Sequence, residues 1–68
     1  MEIRNARDLG RAIRSAREAR QLTQEQVAAA MGVSHQWISE VERGKPNARI
    51  GAVIAIATAL GLRLDAKV

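Results

Sequence analysis

LTQEQVAAAMGVSHQWISEVERGK, the stretch from Leu22 to Lys45, decides how this chain folds. Thr23 followed by Gln26 has the spacing of a capping box, in which the hydroxyl accepts from the Gln26 amide and the Gln26 side chain returns to the Thr23 amide. A helix is predicted from Gln24 to Met31, rich in alanine at 28, 29 and 30 and offering Val27, Ala28 and Met31 for burial. It ends at Gly32, because a left-handed helix end favours a residue without a side chain. Only Gly32 and Val33 precede the next cap, Ser34, so a further helix is predicted from His35 to Arg43. Its Ile38 and Val41 point inward, which leaves His35, Gln36, Ser39 and Arg43 facing out. Residues 23–43 thus form two short helices meeting at a tight turn.

Working outward, an earlier helix runs from about Asn5, an N-cap with Asp8 three residues on, to about Arg20. Leu9, Ile13 and Ala16 lie on its core face. Gly44 closes the third helix as Gly32 closes the second, and Pro46 and Asn47 interrupt the chain before a fourth helix, Ala48 to Leu60, closed by Gly61. In that helix Ile50, Val53, Ile54, Ile56, Ala57 and Leu60 occupy almost every angular position. A helix apolar all round is buried all round, so one side should meet this core and another a second copy. After Gly61, Leu62, Leu64, Ala66 and Val68 alternate with Arg63, Asp65 and Lys67, the period of a half-buried strand. With no second strand to pair it, that strand is expected to form an antiparallel ribbon with its symmetry mate. The expected dimer interface is Ile56, Leu60, Leu62, Leu64 and Ala66, within residues 48–68.

Sixty-eight residues make one domain, 1–68, near the size at which a single core needs help from disulfides, metals or a partner. Without cysteine there is neither a disulfide framework nor a thiolate metal site, and the single histidine, His35, has no companion at ligand spacing. No cofactor is implied. No nucleophile stands near a base in the sequence, so catalysis is not expected. The opening MEIRNARDLG lacks the apolar core of a secretory leader, and the run from Ile50 to Leu62 falls short of the ~18 residues of a membrane span. A cytoplasmic protein, on the nucleoid when bound to DNA, is expected. Eleven Lys and Arg against seven Asp and Glu give a net charge of +4, the balance of a phosphate-backbone binder. Arg4, Arg7, Arg11, Arg14, Arg17 and Arg20 lie in the first twenty residues, where a solvated helix face carries the same charge.

The elements TQ, VA, MGVS, I-S-x-V-E and E-R-G-K in 22–45, with IRSAREAR before them and an apolar helix ending LGL after, resemble the helix-turn-helix of the XRE group of phage repressor and Cro-like regulators. The resemblance covers roughly Leu9 to Leu62. It implies an all-α, lambda-repressor-like domain of four to five helices, here with the short C-terminal β-strand pairing across a homodimer. It also implies double-stranded DNA as partner, with the third helix in the major groove. His35, Gln36 and Ser39 match the family's base-facing positions. Gln36 suits a bidentate pairing with adenine, His35 suits donation to a guanine acceptor or contact with phosphate, and Ser39 suits base or backbone. Glu40, beside them, either accepts from cytosine or is a solvated charge.

Gln24 matches a position that grips the sugar-phosphate backbone, the alternative being a share in capping its helix. Arg43 and Lys45, around Gly44, suit phosphate contacts or are solvated loop charges. Trp37 either lies against the sugar-phosphate wall or packs on Pro46. The family commonly joins the positions of Arg17 and Glu42 by an ion pair. Two copies on a roughly palindromic operator, repressing by steric blockade, complete what the resemblance implies. Within the family, the SHQWISEVERGKPN segment and the LGLRLDAKV tail resemble HipB-type antitoxins, which repress their own operon and neutralise a HipA-type kinase toxin. A protein-binding module with little specific DNA binding and a free-standing phage-type repressor are the alternatives.

Overall fold

A computed structural model describes residues 3–45 and 49–62, which fold into four helices: α1 (Ala6–Ala19), α2 (Gln24–Met31), α3 (His35–Glu42) and α4 (Ile50–Ala59). Each boundary has a local cause. Asn5 caps α1 by accepting from the Asp8 amide at 2.9 Å. The capping box of α2 is complete, with the Gln26 amide 3.0 Å from Thr23 Oγ1 and the Thr23 amide 2.8 Å from Gln26 Oε1. Ser34 Oγ accepts from the Trp37 amide at 3.0 Å and starts α3. The end of α2 closes at Gly32, whose φ of 70° a side chain would resist, and the Val33 amide then reaches back to the Ala28 carbonyl at 3.0 Å.

Three boundaries differ from the sequence expectation by a residue or two. Arg43 is the C-cap of α3, its amide shared between the Ser39 and Glu40 carbonyls. The described part of α4 starts at Ile50 after Arg49 and ends at Ala59, with Leu60 as its C-cap. No glycine ends α1; Gln21 takes the left-handed conformation there, at φ 57°.

The core is a single cluster built around Ile13 of α1, Val27 and Ala28 of α2, Ile38 and Val41 of α3, and Val53, Ile56, Ala57 and Leu60 from α4 and its cap. Leu9, Ala16, Met31, Trp37 and Leu62 pack against it half-buried. The spacing of α1 and α3 is set by Gly10: a Cβ there would collide with the Val41 carbonyl oxygen and stand 2.7 Å from that of Glu42. Where α1 ends, Arg20 Nε donates to the Leu60 carbonyl at 3.0 Å, joining the last turns of α1 and α4.

The core also settles which sides of α4 are used. Ile56 and Leu60 are 1% and 6% exposed within one chain, whereas Ile50 and Ile54 are 66% and 44% exposed. The large apolar side chains that α4 turns to solvent are therefore Ile50 and Ile54, not the two expected at a dimer interface. The excess apolar character read from the helix is real; the register of the free side differs. Leu64, Ala66 and the expected C-terminal strand lie outside the described residues, as do Pro46 and Ala48. Among the described residues no helix is long and apolar enough to cross a membrane.

Candidate nucleic-acid interface

The tight turn places the first residues of α2 and α3 side by side. His35 Nε2 lies 2.8 Å from Gln24 Oε1, although eleven residues separate them. His35 and Gln36 are exposed on the first turn of α3, and Ser39, one turn on, is half-buried on the same side. Ser39 shares a groove with Arg14, Gln24, Glu25, His35 and Arg43, running between α1, the start of α2 and the outer face of α3.

Behind this groove lies the expected ion pair. Arg17 Nε and Nη2 donate to Glu42 Oε2 and Oε1 at 2.7 and 3.1 Å, and Arg17 Nη1 donates to the Leu22 carbonyl at 2.7 Å. Both partners are buried. The hydrogen bonds that Arg17 donates to Glu42 raise the Arg17 pKa above its ordinary value, with burial opposing and the charges of Glu42 and Glu18 adding. A raised pKa on a cation makes its contribution fully present across the neutral range, lost only in strong alkali. The pair is bidentate, the geometry in which a guanidinium and a carboxylate match best. Gln24 Nε2 adds a further hydrogen bond to Glu42 Oε1 at 3.0 Å. A continuous relay, Arg17 to Glu42 to Gln24 to His35, thus links the interior to the outer face of α3.

The sequence offers every member of this relay and the family resemblance implies its Arg17–Glu42 link, but not the two links through Gln24. Of the two roles open to Gln24, phosphate contact or capping, the capping falls to Thr23, and the Gln24 amide bonds Glu42 and His35. Those partners lie eighteen and eleven residues away, so no local spacing announces them. Glu40 is likewise not a lone solvated charge: Lys45 Nζ donates to its Oε2 at 3.0 Å. Such half-exposed pairs are worth little, typically about 0–1 kcal/mol, and break readily when a stronger anion arrives. Arg43 is exposed beside them. Trp37 is half-buried against the core and lines a recess with Val33, Ser34, Arg49 and Ala52. Arg14 pairs with Glu18 one turn along α1 at 3.4 Å, on an exposed face. Among the described residues no group of three metal-ligating side chains converges.

The helix-turn-helix domain family matches residues 8–67, nearly the whole chain. The chain belongs to that family. As an XRE-like helix-turn-helix DNA-binding protein it is 35% identical, over 63 residues, to an uncharacterized HTH-type transcriptional regulator of Sinorhizobium fredii, covering 93% of this chain and 83% of the relative. It is 33% identical over 58 residues to the immunity repressor protein of Bacillus phage phi105, covering 85% of this chain but 40% of the phage protein. A second Sinorhizobium fredii HTH-type regulator is 41% identical over 46 residues, 68% of this chain and 60% of its own length. In helix-turn-helix terms α2 and α3 are the two helices of the motif, and α3 is the one whose outer face the family turns to DNA.

Proposed function

We propose that this helix-turn-helix protein is a sequence-specific transcriptional repressor that binds a palindromic operator as a homodimer, with α3 of each copy in a major groove. The observation that carries this reading is the outward row of His35, Gln36 and Ser39 on α3, braced from behind by Gln24 and the buried Arg17–Glu42 pair. A reading helix must arrive rigid, because ordering side chains on binding costs affinity. The phage relative, an immunity repressor, supports the same reading. Gln36 pairs with adenine, while His35 and Ser39 contact neighbouring base edges. Gln24, Arg43 and Lys45 position the helix on phosphates, Lys45 by exchanging Glu40 for a phosphate oxygen, and Trp37 adds a backbone contact at the rim. Ile50, Ile54 and the segment from Leu62 through Leu64 and Ala66 supply the dimer contact. Half-site centres then lie about one DNA turn apart, or a multiple of it. Repression of its own operon beside a HipA-type kinase toxin rests on the resemblance of the tail and the SHQWISEVERGKPN segment, and on nothing else. Co-purification with the product of an adjacent kinase-like gene tests that pairing.

The deciding experiment is fluorescence anisotropy on the protein's own upstream DNA and on a shuffled duplex, each across a range of salt. Gln36→Ala should weaken cognate binding by about 1–3 kcal/mol and leave shuffled DNA untouched, whereas Lys45→Ala should weaken both alike. Equal losses from both variants on both duplexes would overturn this division of roles.

A further inference from the structure

The relay from the interior fixes the direction of every hydrogen bond out to α3. Both oxygens of Glu42 already accept from Arg17, so the Gln24 atom 3.0 Å from Oε1 has to be a donor, the amide nitrogen. The other end of that amide, Oε1, carries only lone pairs. His35 Nε2, 2.8 Å away, must therefore bear the ring proton. The hydrogen bond made by one ring nitrogen decides the state of the other. Here that bond is anchored, link by link, to a buried guanidinium.

We propose that His35 is held as its Nε2–H tautomer and offers DNA a lone pair on Nδ1, so that it selects an amino donor in the major groove, adenine N6 or cytosine N4, and not the acceptor edge of guanine. This deepens the proposed function and rests on α3 as the reading helix. Nδ1 is the polar atom of the ring that the relay leaves available. The side chain is 52% exposed, and the Glu25 carboxylate 3.9 Å from Nδ1 is an ion-pair partner only for a protonated ring; in the neutral ring, which the proposal concerns, it lies beyond hydrogen-bond reach. Each major-groove edge has a distinct donor and acceptor pattern, so the choice of tautomer is a choice of base partner. A histidine free to exchange tautomers would accept from one base and donate to another; the relay removes that ambiguity. Gln24 is accordingly a positioning residue, acting on DNA through the ring it orients as well as through any phosphate it meets.

The test has a part that needs no DNA. Nitrogen NMR of His35 in the free, full chain, read on the neutral ring, should show Nδ1 as the bare nitrogen and Nε2 as the protonated one. The reverse assignment overturns the proposal. Gln24→Ala should return the ring to a mixture of tautomers; an unchanged ratio overturns the role of the relay. The second part pairs His35→Ala with base analogues in the operator. Removing the amino group from the base that His35 reads should weaken wild-type binding by about fivefold or more, the low end of a base contact, and leave His35→Ala unaffected. Replacing N7 of that same base by carbon, where it is a purine, should not. Sensitivity to N7 instead of the amino group overturns the proposal. Wild-type protein that binds every duplex alike overturns the repressor reading and the base preference together, while the ring assignment is judged by the spectrum.

Discussion

The α2–α3 unit and α4 are held in place by different kinds of force. Every start in the first is fixed by a side-chain cap, Thr23 or Ser34, and its turn is closed by a glycine and a backbone hydrogen bond. The start of α4 has no side-chain cap at all; its place is set by burying Val53, Ile56, Ala57 and Leu60 against the other three helices. The lesson is that precision at the outer face of α3 comes from directional bonds over short distances, whereas α4 is placed by non-directional burial that leaves two isoleucines outside. A reading surface needs the first kind of constraint. A surface for a second copy can tolerate the second.

This contrast can be broken at its strongest point. Glu42→Ala removes two of the three acceptors of the buried Arg17 and one from Gln24, and should cost about 3–5 kcal/mol in urea unfolding, as losing one partner of a buried pair does. A loss under about 1 kcal/mol would mean that the directional network is ornamental. Two helical glycines sharpen the comparison at smaller magnitudes. Gly10→Ala places a methyl against the carbonyls of Val41 and Glu42, backbone that cannot give way, and should destabilise by about 1–3 kcal/mol. Gly51→Ala, in the first turn of α4 with nothing within 4 Å of the added atom, should stabilise by about 0.5–1 kcal/mol. Thermal melts of the two variants that shift the same way would refute this assignment of close and open approach.

Most of the local architecture was legible in the sequence because it follows short-range rules. Asn5, the Thr23–Gln26 pair, Ser34 and Gly32 each act within a few residues, and each sits where its chemistry placed it. The unread features share a cause, which is distance along the chain. Gly10 looks like any poor helix former until α3 lies across it. Gln24 reads as a phosphate contact, or a share in capping, until Glu42 and His35 arrive on either side of its amide. Gln21 ends α1 in a left-handed conformation that its side chain gives no reason to expect. For α4, periodicity reported too many apolar residues for one face, but only the assembled core decides that Ile56 and Leu60 go in while Ile50 and Ile54 stay out. The ion pair of Arg17 and Glu42 was reached through family resemblance, not through spacing, for the same reason.

The hydrogen bond from Arg20 to the Leu60 carbonyl gives α4 a direction of failure. One end is clasped by a side chain from α1, whereas among the described residues no side chain caps the other, so thermal opening should begin at Ile50 and run toward Leu60. Amide hydrogen exchange would register this as protection rising along the helix, and flat protection from Val53 to Leu60 would refute it. A helix that loosens from one end lets Ile50 adjust to a neighbour before Ile54 does, while the far end keeps its bearing on the rest of the fold. Any contact made on that face would then be adjusted at its Ile50 end about a fixed hinge at Leu60.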